Sequence, residues 1–232
     1  MLKFEFTEVF NFKGAFRGMR NAHNSWDKAD SGICLRYNDD CHVNPACGCP
    51  KNGEFDDDYF CIGPNDLALA QRLIKAGSDH RKFMRQIVVC VDIVAPFYWW
   101  KEFDTYKVGT VSNSCSTMHT LTHKEIELSD FSIDDFEIDD DGITLEDMFK
   151  NVVADCESLR QKYLYTKDKK YWYGLIRLLP ESYNQRRTIT LNYEVLRNIR
   201  NSDRKTHKLG EWRYDFMDWI DSLPYAEELI KI

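Results

Sequence analysis

The run Ile87-Val88-Val89-Cys90-Val91-Asp92-Ile93-Val94 constrains this chain more than any other stretch. β-Branched side chains are stiff at χ1 and pack well on a pleated surface, so residues 86–94 read as a strand, buried or half-buried. Pro96 follows where a helix would begin, the position at which its missing N–H costs least. Residues 98–103, YWWKEF, then read as helix. The segment after them, TYKVGTVSNSCSTMH, reads as a loop rich in hydroxyls.

Other elements can be placed around this strand. Residues 2–10, in which Leu2, Phe4, Phe6 and Val9 alternate with polar groups, predict a strand. Residues 12–24 look helical. NDLALAQRLIKAG predicts a helix capped by Asn65 or Asp66, with Leu67, Leu69, Ala70, Leu73 and Ile74 inward and Gly77 at its end. Residues 144–165 predict a further helix, KDKK a solvated turn, and YWYGLIRLLP a helix stopped at Pro180. A helix over 189–203 would carry Ile189, Tyr193, Leu196 and Ile199 on one face. The tail EWRYDFMDWIDSLP is amphipathic and predicts helix. Two excursions interrupt the pattern: a Cys-, Gly- and Asp-rich one over 31–63 and an acidic one over 125–147. Without a repeat or a flexible linker, one α+β domain over 1–232 is the simplest account.

Composition narrows the class. With 43% hydrophobic and 30% charged residues the chain should be globular. Aromatic residues reach 14%, which suggests a core or cleft suited to stacking. A net charge of −7 argues against a dedicated nucleic-acid binder. No apolar run approaches the roughly 18 residues that span a bilayer, and MLKFEFTEVF lacks the continuous apolar core of a signal peptide. A cytoplasmic setting is expected, where cysteines are thiols or ligands rather than disulfides.

Four constellations could carry chemistry. Cys34, Cys41, Cys47, Cys49 and Cys61 are spaced C-x6-C-x5-C-x-C-x11-C, which matches no standard zinc arrangement. They read as thiols in an irregular loop before they read as metal ligands. His80, Arg81, Lys82 and Arg85 follow a helix C-terminus and either complement its dipole or meet a ligand edge. Arg186 and Arg187 precede a helix expected to start near Thr190, where backbone amides suit a phosphate; a surface salt bridge to the acidic excursion explains the pair about equally well. Ser112, Asn113, Ser114, Cys115, Ser116, Thr117 and His119 either satisfy a turn or face a phosphate or pyrimidine edge.

The order of these blocks resembles the flavin-dependent thymidylate synthases, the ThyX family. RNAHNSWD (20–27) is similar to the family's early serine block, with Ser25 on the serine. AGSDH (76–80) places His80 on the family's histidine before a strand. APFYWWKEF lies at the family's spacing, and the step from Pro180 to Asn192 in LLPESYNQRRTITLN matches its Pro-to-Asn interval. EVLRNIRNSDR follows like its next helix. The resemblance implies a ThyX-like fold, an antiparallel sheet with a helical bundle. It implies FAD held at the interfaces of a homotetramer, NADPH as reductant, and transfer of a one-carbon unit from methylenetetrahydrofolate to dUMP without a protein nucleophile. It further implies cofactor contacts from Ser25, His80, Lys107, Asn113, Asn192 and Asn198. Substrate contacts would come from Glu102, Ser114, Cys115, Arg177, Arg186, Arg187 and Arg204.

The most specific signature departs from the family. Thr105, Tyr106 and Lys107 stand on its Arg-His-Arg, Thr110 and Cys115 on its serines, and Thr117 on its closing arginine. Glu194 and Asp203 stand on further arginines. Lys107 keeps a charge but loses the bidentate fork. Three functions follow: a divergent thymidylate synthase that rebuilt its anion grip from Lys107, Arg186, Arg187 and Arg204; a ThyX-fold flavoprotein or nucleotide-modifying enzyme with another substrate; or a non-catalytic relative.

Overall fold

The protein is represented by a computed structural model that describes residues 1–33, 60–133 and 144–232. Lys3–Phe10 forms β1 and Phe12–Met19 forms α1. Gly32–Ile33 (β2) and Phe60–Cys61 (β3) pair as a small antiparallel ribbon. Pro64–Ala76 is α2, Val88–Pro96 is β4, and Phe97–Phe103 is α3. Val111–Ser114 (β5) and Thr117–Thr120 (α4) follow. Leu145–Thr166 (α5) and Lys169–Leu178 (α6) form a helical hairpin. Asn184–Asn192 (β6), Tyr193–Arg200 (α7) and Met217–Asp221 (α8) complete the set.

The main sheet is antiparallel with order β1-β4-β6-β5. β4 therefore sits inside it, as its β-branched composition requires. Val89, Val91, Ile93 and Ala95 point into the main core and are fully buried, while Val88, Cys90, Asp92 and Val94 between them are half-buried. This is the period-2 pattern of a sheet with one packed face. The packed face meets α1, α2, α3, α7, α8 and the C-terminal turns.

The aromatic run after β4 belongs to this core. Pro96 is the N-cap of α3, and Trp99, Trp100 and Phe103 are buried. Trp99 stacks on Trp212 at 4.8 Å and 24°, and on Phe103 at 5.1 Å and 20°. Such pairs contribute about 0.5–1.5 kcal/mol each beyond their burial. These rings are thus a packing layer, and not the ligand platform that the aromatic content suggested.

A second cluster lies between α5, α6 and residues 121–133, centred on Leu121, Ile126, Phe131, Cys156, Leu175 and Tyr183. Ile126 and Phe131, expected in a surface excursion, are buried there. Residues 134–143 of that excursion lie outside the described residues. Thr144 caps α5 through a capping box with Asp147, the strong N-terminal signal of this helix.

Several expected elements differ. The helix over 189–203 starts only at Tyr193, because Gln185, Arg187, Ile189 and Leu191 alternate with polar residues and pair in β6. Ile189 does share a buried core with Tyr193, Leu196 and Ile199, but from the strand side of the junction. The helix over 12–24 ends at Met19 and gives way to a 3₁₀ turn, Asn21–His23. α2 is capped by Gly63 with Pro64 at its first turn, and Asp66 is buried instead of capping. Gly77 ends α2 at φ +112°, as expected of a residue without Cβ. KDKK is only partly a turn, since Asp168 caps α6 and Lys169 and Lys170 lie within it. In the tail, Glu211–Phe216 is wound as a π-helical turn before α8. β1 carries a register shift between Glu5 and Glu8, with Phe6 at φ +53°, so Phe6 turns outward and is 75% exposed.

Candidate ligand-binding site

The 105–119 segment is not a free loop. Tyr106 packs against the core, Lys107 to Gly109 form an exposed turn, and residues 111–114 pair with β6 as the edge strand β5. Gly109 has φ +75°, and a Cβ there would sit 2.8 Å from Asn192 Nδ2. The turn thus crosses close above the start of α7 because residue 109 is glycine. Asn192 caps α7, its Oδ1 accepting from Val195 N at 3.1 Å. Asn113 and Ser114 are exposed on β5, opposite Thr188 and Arg187.

β6 delivers Arg186 and Arg187 to opposite faces of the sheet. Neither precedes a helix N-terminus; both lie in mid-strand, so the amides proposed for a phosphate are engaged in the ladder. Arg186 lies on the open face, paired with Glu5 of β1 and with Asp92 of β4 at 3.2 Å. The arginine is salt-bridged, but to carboxylates of the sheet and not to the acidic excursion that the sequence suggested. Arg187 points the other way. It lies over Trp100 at 4.3 Å, donates to Gln185 Oε1 at 2.9 Å and pairs with Asp104 Oδ1 at 2.8 Å. Burial pushes its pKa down, and the Asp104 carboxylate opposes that shift. Gln185 in turn donates to Cys115 O at 2.7 Å, and Cys115 Sγ is 3.5 Å from Thr120 Oγ1.

Arg204 makes a second unit on the same stretch of chain. Its Nη1 pairs with Glu102 Oε2 at 2.8 Å and its Nε donates to Tyr106 OH at 2.8 Å. The guanidinium lies over Trp212 at 4.7 Å. Burial lowers its pKa, but Tyr106 and Glu102 more than offset this and the net shift is upward. Lys107 is exposed and forms no ion pair among the described residues.

A third group surrounds α7. Glu194 is buried and accepts from Arg81 Nε at 3.1 Å and from Arg85 Nε. Burial opposes its ionisation, but Arg85 and then Arg81 outweigh it and hold the carboxyl below its ordinary range. Asn198 Oδ1 accepts from Arg81 Nη2 at 3.3 Å. His80 is exposed in the turn after α2, its backbone N–H bonded to Gly77 O. The structure therefore brings Asn198 into one group with Arg81, Arg85 and Glu194, next along the chain from His80.

Ser25 and Arg177 fall outside these groups. Ser25 O and Oγ accept from Arg20 Nη1 at 3.2 and 3.4 Å, beside the buried Arg20–Asp66 pair. Arg177 is exposed on α6, 5.8 Å from the Tyr173 ring centre. Cys61 is fully buried in β3, while Cys34, Cys41, Cys47 and Cys49 lie outside the described residues. Among the described residues no group of three His, Cys, Asp or Glu side chains is placed to hold a metal. An apolar pocket of about 230 Å³ opens between β1, α1, the β2–β3 ribbon and Pro224–Tyr225, and none of the sequence-predicted residues lines it.

Sequence reasoning missed Asp104, Gln185, Trp100 and Trp212 as partners of the arginines. Only the alternation Gln185-x-Arg187-x-Ile189-x-Leu191, read as a strand, could have placed Gln185 beside Arg187. Asp104 and Trp212 carry no local signal, being 83 residues before Arg187 and in a different element from Arg204.

No protein-family model matches this chain, and no curated protein matches its sequence. Solved structures do match. A crystal structure of thymidylate synthase X (ThyX) from Helicobacter pylori with FAD and dUMP superposes with a TM-score of 0.63 at 16% identity, covering 100% of this chain and 98% of that one. A second, of flavin-dependent thymidylate synthase ThyX from Helicobacter pylori complexed with FAD and dUMP, gives 0.63 and 16%, covering 99% and 98%. No described helix is long and apolar enough to cross a membrane. The chain has a ThyX-like α+β fold.

Proposed function

We propose that this protein is a flavin-dependent, thymidylate-synthase-like enzyme. In this reading it transfers a one-carbon unit from methylenetetrahydrofolate to the uracil ring of dUMP, with NADPH reducing the flavin, and works as a homotetramer. The observation that carries the reading is the full-length likeness to ThyX structures holding FAD and dUMP. Fold alone does not transfer activity, so the residues must bear it.

The donor set around α7 suits a flavin nucleotide. Arg81 and Arg85 keep guanidinium groups beside Glu194, His80 is exposed next to them, and Asn198 joins through Arg81. Asn192 commits Oδ1 to its helix cap and leaves Nδ2 beside the Gly109 turn. When bound, the flavin supplies reversible hydride chemistry. The chain's own work is to bind and align: His80, Lys107, Asn192 and Asn198 toward the cofactor, with Asn113 on β5 and Ser25, outside these groups beside Arg20, as the further contacts the resemblance implies. The substrate would meet Ser114, Cys115, Arg187 and Arg204, with Glu102 orienting Arg204. No protein nucleophile is needed, so Cys115 is a contact and not a catalyst.

One observation favours a second reading, a ThyX-fold flavoprotein with a substrate other than dUMP. Each of Arg186, Arg187 and Arg204 already holds a carboxylate. The absorption spectrum of the purified protein, before and after addition of FAD, tests both readings together. A flavin spectrum supports them, and a colourless protein that takes up no FAD refutes them. Rescue of a thymidine-requiring strain then separates the first from the second.

A further inference from the structure

α5 buries one face and leaves the other bare. Phe149, Val152, Val153, Cys156 and Leu159 pack into the second core cluster. On the other side runs a stripe at heptad spacing: Met148, Asn151, Asp155, Ser158, Lys162 and Tyr165. Steps of three and four residues keep these side chains on one face of the helix. Met148 is 54% exposed and Tyr165 is 92% exposed, so the stripe carries a large hydrophobic side chain near each end.

The charges on this stripe are unmatched within the chain. Helix-end electrostatics accounts for Glu146 and Asp147 in the first turn of α5, and Lys150 pairs with both. Glu157 is taken by Arg160. Asp155 and Lys162 lie beyond the terminal turns, where the helix dipole fades, and form no ion pair among the described residues. They stand two turns apart, about 10 Å along the axis, too far to meet each other. A second α5, antiparallel to the first about a two-fold axis near Ser158, sets Asp155 of each copy against Lys162 of the other. The same rotation carries Tyr165 of one copy toward Met148 of the other. Small Ala154 and Ser158 at the centre let the two helices approach.

We propose that this stripe of α5 is an interface with a second copy of the chain, formed by antiparallel pairing of two α5 helices. The inference names a contact surface for the homotetramer of the proposed function, and it rests on that assembly. Charge complementarity selects the occupant. An anionic partner would match Lys162 and clash with Asp155, and a cationic one would do the reverse. The stripe's own reverse matches both, and it does so twice because a two-fold contact repeats each pair.

The test is charge reversal in the full chain, with association measured by sedimentation equilibrium. Asp155→Lys alone and Lys162→Asp alone each place two like-charged contacts across the two-fold axis. Each should weaken association by about tenfold or more, with the circular dichroism spectrum unchanged because both positions are exposed. The double variant Asp155→Lys, Lys162→Asp restores both pairs with their signs exchanged and should associate within about threefold of wild type. Added salt should weaken wild type and the double variant alike. Met148→Ser with Tyr165→Ser should also weaken association, by removing the apolar ends, and tests the surface without altering its charge. Single reversals that associate as wild type does, or a double variant no tighter than the singles, overturn the inference and leave the flavin-enzyme reading standing. Wild type that stays monomeric at every concentration overturns the inference together with the homotetramer.

Discussion

Asp66→Ala attacks the most deeply buried ion pair among the described residues. Asp66 is 1% exposed and Arg20 is 4% exposed. Asp66 Oδ1 accepts from Arg20 Nε at 2.5 Å, and Oδ2 accepts from the backbone N–H groups of Asp30 and Ser31 at 3.2 and 3.0 Å. One carboxylate therefore ties α2 to the end of α1 and to the chain entering β2. Its removal leaves a buried guanidinium without its counter-charge, which costs about 3–5 kcal/mol. Two backbone donors also lose their acceptor, at about 1–3 kcal/mol each when no water replaces it. Partial hydration and the better helix propensity of alanine reduce the sum, so the expected loss is about 4–6 kcal/mol. For a chain of this size each kcal/mol moves the melting temperature by about 2–4 °C, which gives a fall of about 8–24 °C. Thermal unfolding followed by circular dichroism measures it. The double variant Arg20→Met, Asp66→Leu should recover part of the loss, because no charge is stranded, but not all, because the Asp30 and Ser31 donors stay unsatisfied. A single variant melting within about 2 °C of wild type would refute the reasoning, since 4 kcal/mol cannot hide in so small a shift.

Other perturbations probe the site and the second cluster. Lys107→Ala should weaken binding of added FAD or dUMP by about tenfold to a hundredfold, at about 1.5–3 kcal/mol for a charged hydrogen bond, with the melting temperature unchanged; equal affinity for both ligands removes Lys107 from the site. Asn192→Ala should lower flavin retention and also cost about 1 kcal/mol of stability through the lost cap of α7, whereas His80→Ala should lower retention alone; full retention in both ends the transfer of family roles to these residues. Glu157 has its pKa lowered from 4.5 to about 2, first by the hydrogen bond from Arg160 and against its own burial. A depressed folded-state pKa contributes stability above 4.5 that is lost as pH falls toward about 2. Melting curves should therefore show Glu157→Gln about 1–2 kcal/mol less stable at neutral pH and level with wild type in strong acid; a gap that persists at low pH contradicts the assignment. Burial pushes the Cys156 thiol up to about 11, while Cys115 is exposed. Alkylation at pH 8 followed by peptide mapping should label Cys115 in the folded protein and Cys156 only after unfolding.

Local pattern fixed a good deal of this protein. The β-branched run at 87–94 reads as a buried or half-buried strand, and β4 is one, flanked by β1 and β6. Gly77 and Thr144 marked a helix end and a helix start through chemistry confined to one turn. The resemblance of scattered blocks to the ThyX family implies a ThyX-like fold, and the chain has one. The misreadings share a cause. Ile189, Tyr193, Leu196 and Ile199 do face one core, yet two periodicities meet at Asn192, and a three-to-four spacing alone hides the junction. Phe6 faces solvent because a bulge in β1 breaks the alternation, and a bulge is set by pairing with β4, not by residue 6. The state of the arginines lay furthest from view. Arg186 and Arg187 are sequence neighbours that a strand sends to opposite faces, and Arg204 meets Glu102 from 102 residues away. A sequence declares which residues carry charge. Which charge neutralises which depends on distances of a few ångströms, and only the packed chain sets those.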